Sequence, residues 1–500
     1  MRKMGHSDAP GMGRWAQMRA AEKFPDGLLE RAVELGAVTD RSVRVWLRQP
    51  GTAAADGMLH VDDHEAVHAS VEVHAERDWT AALQFSLDGP APGSAFRVEV
   101  AGEVRTGRLA PSPGQRTRLT FGFGSCNRPF ELRDGEIRYH DAAGMYDAFT
   151  TDMERASASL LLLIGDQLYS DEIEPVSVRA GHLTEPRWLP TEEETVGAYR
   201  EITRGYFNVS GFRRMRERFP ALMIWDDHDI FDNWGSRKEV SALDRRMFEA
   251  AARVYAEYQG SRNPEPQRAA PPFHYRYQYG DVGFFALDTR GMRDWNSGQM
   301  LGEEQWRDLV AYLDSPESDE IATLFLISSV PIGHVARWMA DLFEHLPGSF
   351  GDSVRDRWSA RAYREQRDEL LARLLAWQQA QPGRQAIILS GDVHVAVAHT
   401  IRPARGGGKI EQFTSSAFTT PPDAYTRFSN VLAARGANLF EPAWRIERHF
   451  INYANNGGLV RLTPLDAGGH AVEFLVRAWN RQRGELRTAA RRTVTPGDGV

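Results

Sequence analysis

Residues 160–169 read LLLLIGDQLY, and this stretch decides the fold class of the 500-residue chain. Five consecutive apolar residues predict a strand that is buried on both faces, because a half-exposed strand would alternate apolar and polar residues. The glycine that follows lets the backbone turn sharply and carry the next aspartate past the end of the strand. The stretch therefore predicts a parallel sheet covered by helices, with a carboxylate at its carboxyl end.

The same rhythm extends over the rest of the chain from residue 119. Further apolar runs lie at residues 119–123, 221–225, 282–287, 322–330 and 386–389, and helical patterns lie between them at residues 199–219, 245–258 and 363–379. Thr191-Glu192-Glu193-Glu194 fits a helix capping box. We therefore predict an α/β domain over residues 119–500, with an insertion at residues 174–195 that is long enough to form a lid.

The first part of the chain has a different pattern. Residues 43–47, 69–73 and 96–100 alternate apolar and polar positions and are separated by turn residues, which predicts a small all-β sandwich over residues 28–110. Residues 1–27 form an N-terminal extension in this interpretation. Residues 111–118, which include Pro111, Pro113 and Gly114, form a linker.

Composition excludes several classes of protein. The formal net charge is −8, with 26% charged and 42% hydrophobic residues, which is typical of a soluble globular protein without a dedicated nucleic-acid surface. No apolar run is long enough to span a membrane, and the single cysteine cannot form an internal disulfide. The first 18 residues contain neither an apolar secretory segment nor a twin-arginine signal, so we expect a cytoplasmic location. Oligomeric state is left open.

Several of the predicted strands end on residues that can bind metals. The segments are GSCN at 124–127, GDQLY at 165–169, DDHD at 226–229 and GDVH at 391–394. Open α/β sheets place their ligands at the carboxyl ends of strands. Each segment alone is more typical of a turn or a packed core residue. Together they predict a metal site, since adjacent Asp226 and Asp227 repel unless a cation or a donor separates them.

These motifs, in this order, resemble the PhoD-like alkaline phosphatases of the metallophosphoesterase superfamily. The resemblance implies a four-layer α/β/β/α core, preceded by an immunoglobulin- or fibronectin-like β-domain. It also implies a binuclear metal centre that hydrolyses phosphate mono- or diesters, with a small phosphate ester as the partner molecule. Asp229 stands where glutamate is more common in the family, and Asn127 stands where glutamine is frequent.

The resemblance also implies roles for individual residues. Asp166 would bridge two cations, and Cys126, Tyr169 and His394 would complete a ferric site. Asp227 and Asp392 would hold the second cation, which is calcium in the family prototype, with Mg²⁺, Mn²⁺ and Zn²⁺ as alternatives. Thiolate and phenolate donors suit iron, and carboxylates suit a hard cation, so the donor chemistry agrees.

Two further residues are candidates for contact with the substrate. We expect His228 to lie outside the metal shell and to act on the leaving oxygen or the developing charge. Arg290 follows an apolar run and either clamps phosphate or forms an interdomain salt bridge, and the sequence leaves these two alternatives open.

Other interpretations explain less of the sequence. A thiol phosphatase needs an arginine six positions after its cysteine, but residue 132 is leucine, and Arg133 comes one position late. A degenerate family member that binds phosphate or a protein without turnover remains the alternative function, and sensitivity of hydrolysis to a chelator separates the two. The histidines at positions 60, 64, 68 and 74 are more typical of a solvated strand face than of a second metal site.

Overall fold

The computed structural model describes residues 24, 26–133, 136–172, 191–236, 240–346, 349–420 and 441–497. The chain begins with seven strands: β1 Ala32–Val38, β2 Ser42–Arg48, β3 Ala54–Val61, β4 Val67–Glu72, β5 Thr80–Ser86, β6 Ala95–Val100 and β7 Glu103–Arg108. They form two antiparallel sheets, in the orders β1-β2-β5 and β4-β3-β6-β7. Alternate side chains such as Val45, Leu59, Phe85 and Val98 form a shared apolar core. The predicted domain boundaries and the immunoglobulin-like type stay predictions.

The rest of the chain contains the remaining strands and all the α-helices of the described residues. The strands are β8 Leu119–Gly124, β9 Phe130–Arg133, β10 Glu136–Tyr139, β11 Leu160–Ile164, β12 Ala221–Ile224, β13 Tyr275–Tyr279, β14 Val282–Leu287, β15 Thr323–Ser328, β16 Gln385–Ser390, β17 Ala396–Pro403, β18 Ile410–Ser415, β19 Trp444–Asn452, β20 Asn456–Pro464, β21 His470–Asn480 and β22 Glu485–Val494. The helices are α1 Met145–Arg155, α2 Glu192–Phe207, α3 Ser210–Arg218, α4 Asp227–Ile230, α5 Ala242–Tyr258, α6 Glu303–Leu313, α7 Pro316–Asp319, α8 Arg337–Phe343, α9 Ser349–Arg355 and α10 Arg364–Ala380.

Two large mixed sheets organise this part of the chain. One has the order β12-β11-β8-β20-β21-β22, and the other has the order β13-β14-β15-β16-β18-β17-β19. Strands β12, β11 and β8 run parallel, as do β14, β15, β16 and β18. The sheets pack face to face, since the ring of Phe121 on β8 lies 5.5 Å from Phe284 and 5.2 Å from Phe325 on the other sheet. The mixed α/β class is thus confirmed, while the complete four-layer order stays a prediction.

Most of the predicted elements are present. All six apolar runs form strands, and the capping box is formed, since Thr191 Oγ1 accepts from the Glu194 amide and the Glu194 carboxylate accepts from the Thr191 amide. The helix predicted over residues 199–219 is wrong in one respect, because it is broken into α2 and α3 at residues 208–209. The Asp26 carboxylate accepts from the Ser210 amide at 2.9 Å and so stabilises the start of α3.

Other predictions fall largely outside the described residues. Residues 174–190 of the predicted lid and most of the N-terminal extension are among these. No helix in the described ranges combines the length and the apolar character needed to cross a membrane. The cytoplasmic location stays a prediction.

A buried ion triad joins the N-terminal strands to the larger part of the chain. Glu34 on β1 accepts from Arg216 on α3 at 3.0 Å and from Arg262 at 2.6 Å, and all three side chains are fully buried. The neighbouring Asn263 side chain accepts from the Met223 amide and donates to the Met223 carbonyl on β12. The triad therefore lies next to the segment that supports β12, the strand that precedes Asp226.

Candidate metal centre

The ends of four strands converge on one cluster of ligand-forming side chains. Cys126 follows β8, Asp166 follows β11, Asp227 follows β12, and Asp392 and His394 follow β16. The ligand atoms form three groups in which all atoms lie within 4.8 Å of one another: Cys126 with Asp166 and His394, Asp166 with Asp227 and His228, and Asp226 with Asp227 and Asp392. Because the groups share Asp166 and Asp227, the cluster is continuous.

The backbone at these positions is strained. Cys126, Asp166, Asp392 and His394 have φ values of 59°, 54°, 64° and 55°, in the left-handed region that residues with a Cβ seldom adopt. Each such conformation costs about 1–3 kcal/mol and persists where the surrounding structure requires it, commonly at functional sites. Position 165 also requires glycine, because a Cβ there would lie 2.7 Å from the Asp226 Cβ. Four of the candidate ligands are thus held in strained backbone conformations.

Sulfur, oxygen and nitrogen donors meet in the first group. Cys126 Sγ lies 3.2 Å from Asp166 Oδ2, and Tyr169 Oη lies 3.4 Å from His394 Nε2. Burial raises the pKa of the Cys126 thiol, but the His394 ring outweighs this effect and lowers it to about 6. Burial and the nearby Cys126 raise the pKa of Tyr169 well above its usual value. The group therefore offers a readily formed thiolate and a phenol that needs a cation to ionise.

The second part of the cluster is dominated by carboxylates. Asp226 Oδ2 and Asp227 Oδ1 are buried without a hydrogen bond from the described residues, and Asp227 Oδ1 has only the longer contact of 3.5 Å with Arg290 Nη2. Burial, Cys126 and Asp227 together raise the pKa of Asp166 well above its usual value. Buried carboxylates that lack donors and repel one another are stabilised by a cation. The cluster therefore offers ligand groups for a cation, and the binuclear centre bridged by Asp166 stays a prediction.

Asp229 connects two of the strand ends. Its Oδ2 accepts from the Asp226 amide at 2.9 Å and from the Gln167 amide at 3.4 Å, while Oδ1 accepts from Gln259 at 3.0 Å. Burial raises its pKa to about 7. Asp229, which stands where glutamate is commoner, thus links the loop after β11 to the loop after β12.

His228 lies at the edge of the cluster and contacts an aspartate that the sequence analysis missed. Its Nδ1 faces the Asp171 carboxylate, and its ring stacks on Tyr169 with the centroids 4.2 Å apart. Asp171 is fixed in turn, since its other oxygen accepts from the Asp232 amide at 2.8 Å. Burial lowers the pKa of His228, but Asp171 and Asp227 outweigh it and raise the pKa to about 10. Its predicted place outside the metal shell stays a prediction, because His228 also belongs to one ligand group.

Arg290 does not reach the open side of the cluster. Its guanidinium is fully buried, donates to the Asp226 and Asp356 carboxylates, and donates to the Trp234 carbonyl at 3.1 Å. The predicted clamp on substrate phosphate is not supported, because the packed chain encloses the guanidinium. The alternative of an interdomain bridge also does not apply, since Asp226 and Asp356 both lie in the predicted α/β domain.

A different arginine approaches the cluster from outside. Arg357 forms an ion pair with Asp392, and its side chain is 17% exposed. No pattern in the sequence marked Arg357, because it lies 35 positions from its partner in the turn between α9 and α10.

The other predicted residues lie close together in space, and their roles as ligands stay predictions. Those gathered at the cluster are Cys126, Asp166, Tyr169, Asp227, His228, Asp392 and His394. The histidine-rich strand face is an exposed surface, on which His68 lies beside Asp56 and His74 lies beside Glu72. No ligand group of three is found at that face within the described ranges.

Comparisons with known proteins agree with this arrangement. Residues 122–457 match the family described as PhoD-like phosphatase. The chain is 23% identical over 437 residues to alkaline phosphatase D of Bacillus subtilis (strain 168), which covers 80% of this chain and 70% of that protein.

Two solved structures are similar to this fold. The structure of PhoD has a TM-score of 0.66 at 16% identity, covering 93% of this chain and 90% of that one. The purple acid phosphatase PPD1 from yellow lupin seeds has a TM-score of 0.56 at 12% identity, covering 93% and 74%. Since the family match spans most of the chain and includes every strand end of the cluster, this chain belongs to the PhoD-like phosphatase family and is a phosphoesterase-type hydrolase.

Proposed function

We propose that this chain hydrolyses phosphate mono- or diesters, with a metal-activated water, at a two-cation centre. The observation that carries the proposal is the sharing of Asp166 and Asp227 among the three ligand groups. A carboxylate common to two groups can bridge two cations. Family membership supports phosphoester chemistry.

The donor atoms suit two different cations. Cys126, Asp166, Tyr169 and His394 offer sulfur, oxygen and nitrogen donors, which fit a transition metal such as ferric iron. Asp227 and Asp392, together with Asp166, offer only carboxylate oxygens, which fit Ca²⁺, with Mg²⁺, Mn²⁺ and Zn²⁺ as alternatives. When bound, such a pair supplies Lewis acidity that activates water and neutralises the phosphoryl oxygens.

His228 is the residue that we assign to proton transfer. Its Nδ1 is held by Asp171 and its ring face by Tyr169, so only a narrow range of ring orientations is available. An imidazolium held in this way donates a proton to the leaving oxygen of an ester bound beside it. Asp171 is a positioning residue in this scheme, because it touches His228 and not the substrate.

Arg290 acts as a positioning residue rather than a phosphate clamp. It ties Asp226, at the end of β12, to Asp356, at the end of α9. Arg293 contacts the same Asp356 carboxylate, so the two arginines together neutralise Asp226 and Asp356. Arg290 Nη2 also lies 3.5 Å from Asp227 Oδ1, so the network extends to one of the proposed ligands.

A metal-reconstitution experiment tests the proposal. The purified protein is stripped with a chelator, reloaded with Fe³⁺ and Ca²⁺ separately and together, and assayed on p-nitrophenyl phosphate and bis(p-nitrophenyl) phosphate. We expect hydrolysis of at least one ester to disappear on stripping and to return fully only with both cations. Undiminished turnover after complete removal would contradict the two-cation centre. Tight phosphate binding without hydrolysis in every metal state would favour the alternative, a family member without turnover.

A further inference from the structure

Arg357 occupies a different place from the other arginines near the cluster. It follows α9, and its guanidinium Nη1 meets Asp392 Oδ2; both of these atoms are buried, while 17% of the Arg357 side chain is exposed. Asp392 has a second oxygen, so contact with the arginine leaves that oxygen available to a cation. The guanidinium therefore lies beside the proposed centre without displacing its donors.

The backbone on both sides of Arg357 is fixed. Asp356 is buried and accepts from Ser236 Oγ at 2.7 Å as well as from Arg290 and Arg293. Trp358 is fully buried, and its indole donates to Ser328 Oγ at 3.3 Å. A residue between two anchored neighbours presents its side chain with little loss of conformational freedom on binding.

One edge of the guanidinium is available to a ligand. Nε donates to the Ser353 carbonyl at 3.1 Å, and Nη1 meets Asp392. Nη2 has no hydrogen-bond partner among the described residues, although Arg357 is largely buried at 17% exposure. Arginine nitrogens in such a setting match the geometry of phosphate oxygens and keep their charge at every working pH.

A phosphate bound beside the cluster requires a positively charged side chain. The cluster concentrates the carboxylates of Asp166, Asp226, Asp227 and Asp392, which repel a phosphate anion. Arg290 and Arg293 are enclosed and already paired with Asp226 and Asp356. Arg357 combines a fixed backbone, a place at the cluster and an unpaired edge.

We propose that Arg357 binds a non-bridging oxygen of the substrate phosphate through Nη2, while Nη1 keeps its contact with Asp392. The inference rests on the proposed function for the identity of the ligand. It reassigns to Arg357 the phosphate contact that sequence analysis suggested for Arg290. A purely structural alternative is that Arg357 only orients Asp392.

The test measures phosphate binding separately from metal content and turnover. Arg357→Gln, Arg357→Lys and the control Arg361→Gln are loaded with Fe³⁺ and Ca²⁺. Arg361 is a suitable control because it lies four residues away, is 68% exposed and contacts Asp341 and Glu344. Elemental analysis gives the metal content, titration calorimetry with inorganic phosphate gives the Kd, and circular dichroism confirms folding.

We expect Arg357→Gln to retain both cations and to bind phosphate about 10- to 100-fold more weakly, the usual loss for a hydrogen bond to a charged group. Arg357→Lys should recover part of this loss, and Arg361→Gln should match the unmodified protein. Unchanged phosphate affinity in Arg357→Gln would overturn the proposal. Loss of a cation in both Arg357 variants would also overturn it, in favour of orienting Asp392. Failure of the proposed function would appear separately, as an unmodified protein that binds phosphate but hydrolyses no ester.

Discussion

Replacing Glu34 by glutamine removes a carboxylate that lies between two fully buried arginines. Glu34 accepts from Arg216 at 3.0 Å and from Arg262 at 2.6 Å, and the guanidiniums also lie on the rings of Phe207 and Trp46. Burial raises the pKa of Glu34, but the two arginines outweigh it and lower the pKa from 4.5 to about 2. Without the carboxylate, two like charges face each other in a fully buried environment.

The size of the effect follows from that shift. A change from 4.5 to about 2 corresponds to roughly 3 kcal/mol, because one pKa unit is about 1.4 kcal/mol. Removal of one partner from a buried ion pair costs about 3–5 kcal/mol. We therefore expect Glu34→Gln to lower the free energy of unfolding at pH 7 by about 3–5 kcal/mol, measured by urea unfolding followed by circular dichroism.

The pH dependence gives a second, independent readout. A depressed pKa stabilises the folded state above pH 4.5, and this contribution is lost as the pH falls toward 2. The difference between Glu34→Gln and the unmodified protein should be constant from pH 7 to about 5 and shrink below that. The control Glu369→Gln, in an exposed pair with Arg373, should cost less than about 0.5 kcal/mol. Equal costs for the two variants, or a difference that does not shrink in acid, would refute the reasoning.

Three further substitutions address the cluster. Asp166→Asn should lower metal content and activity together, because it alters the shared carboxylate; elemental analysis showing both cations and normal turnover would exclude a bridging role. His228→Ala should slow turnover by about 10²–10⁴-fold with the cations retained, as expected for a proton donor, and loss of a cation would instead make His228 a ligand. Cys126→Ser should weaken iron binding and remove any visible thiolate-to-iron absorption band, whereas an unchanged spectrum and metal inventory would contradict thiolate ligation.

The strands that carry the site were predictable because their sequences fit only one kind of element, a strand that is buried on both faces. LLLLI can be buried on both faces, and a Gly-Asp pair then ends it, so β11 and the position of Asp166 follow from local chemistry. The last strand, β22, was missed for the opposite reason. β22 reads ELRTAARRTV and is mostly exposed at one edge of its sheet, where sequence pattern carries little signal.

The residues that were missed or misassigned depend on packing between distant segments. Asp171 meets His228 across 57 positions, and Arg357 meets Asp392 across 35, so neither contact has a local signature. Arg290 resembles an accessible residue at the end of β14, but packing of Trp234, Asp226 and Asp356 around it removes it from solvent. Burial of a charged group is a tertiary property, which periodicity alone does not report.

The broken helix at residues 208–209 has a similar origin. Residues 199–219 contain no proline, and the break coincides with a cap from Asp26, far away in sequence. Local propensity favoured one helix, and a tertiary hydrogen bond stabilises the start of a second.

Anomalous diffraction from crystals of the reconstituted protein, recorded on both sides of the iron absorption edge, tests the central claim most directly. We predict two cation peaks on either side of the Asp166 carboxylate, with iron bonded to Cys126 Sγ and the lighter cation bonded to Asp227 and Asp392. A single cation, or two cations that Asp166 does not join, would contradict the account.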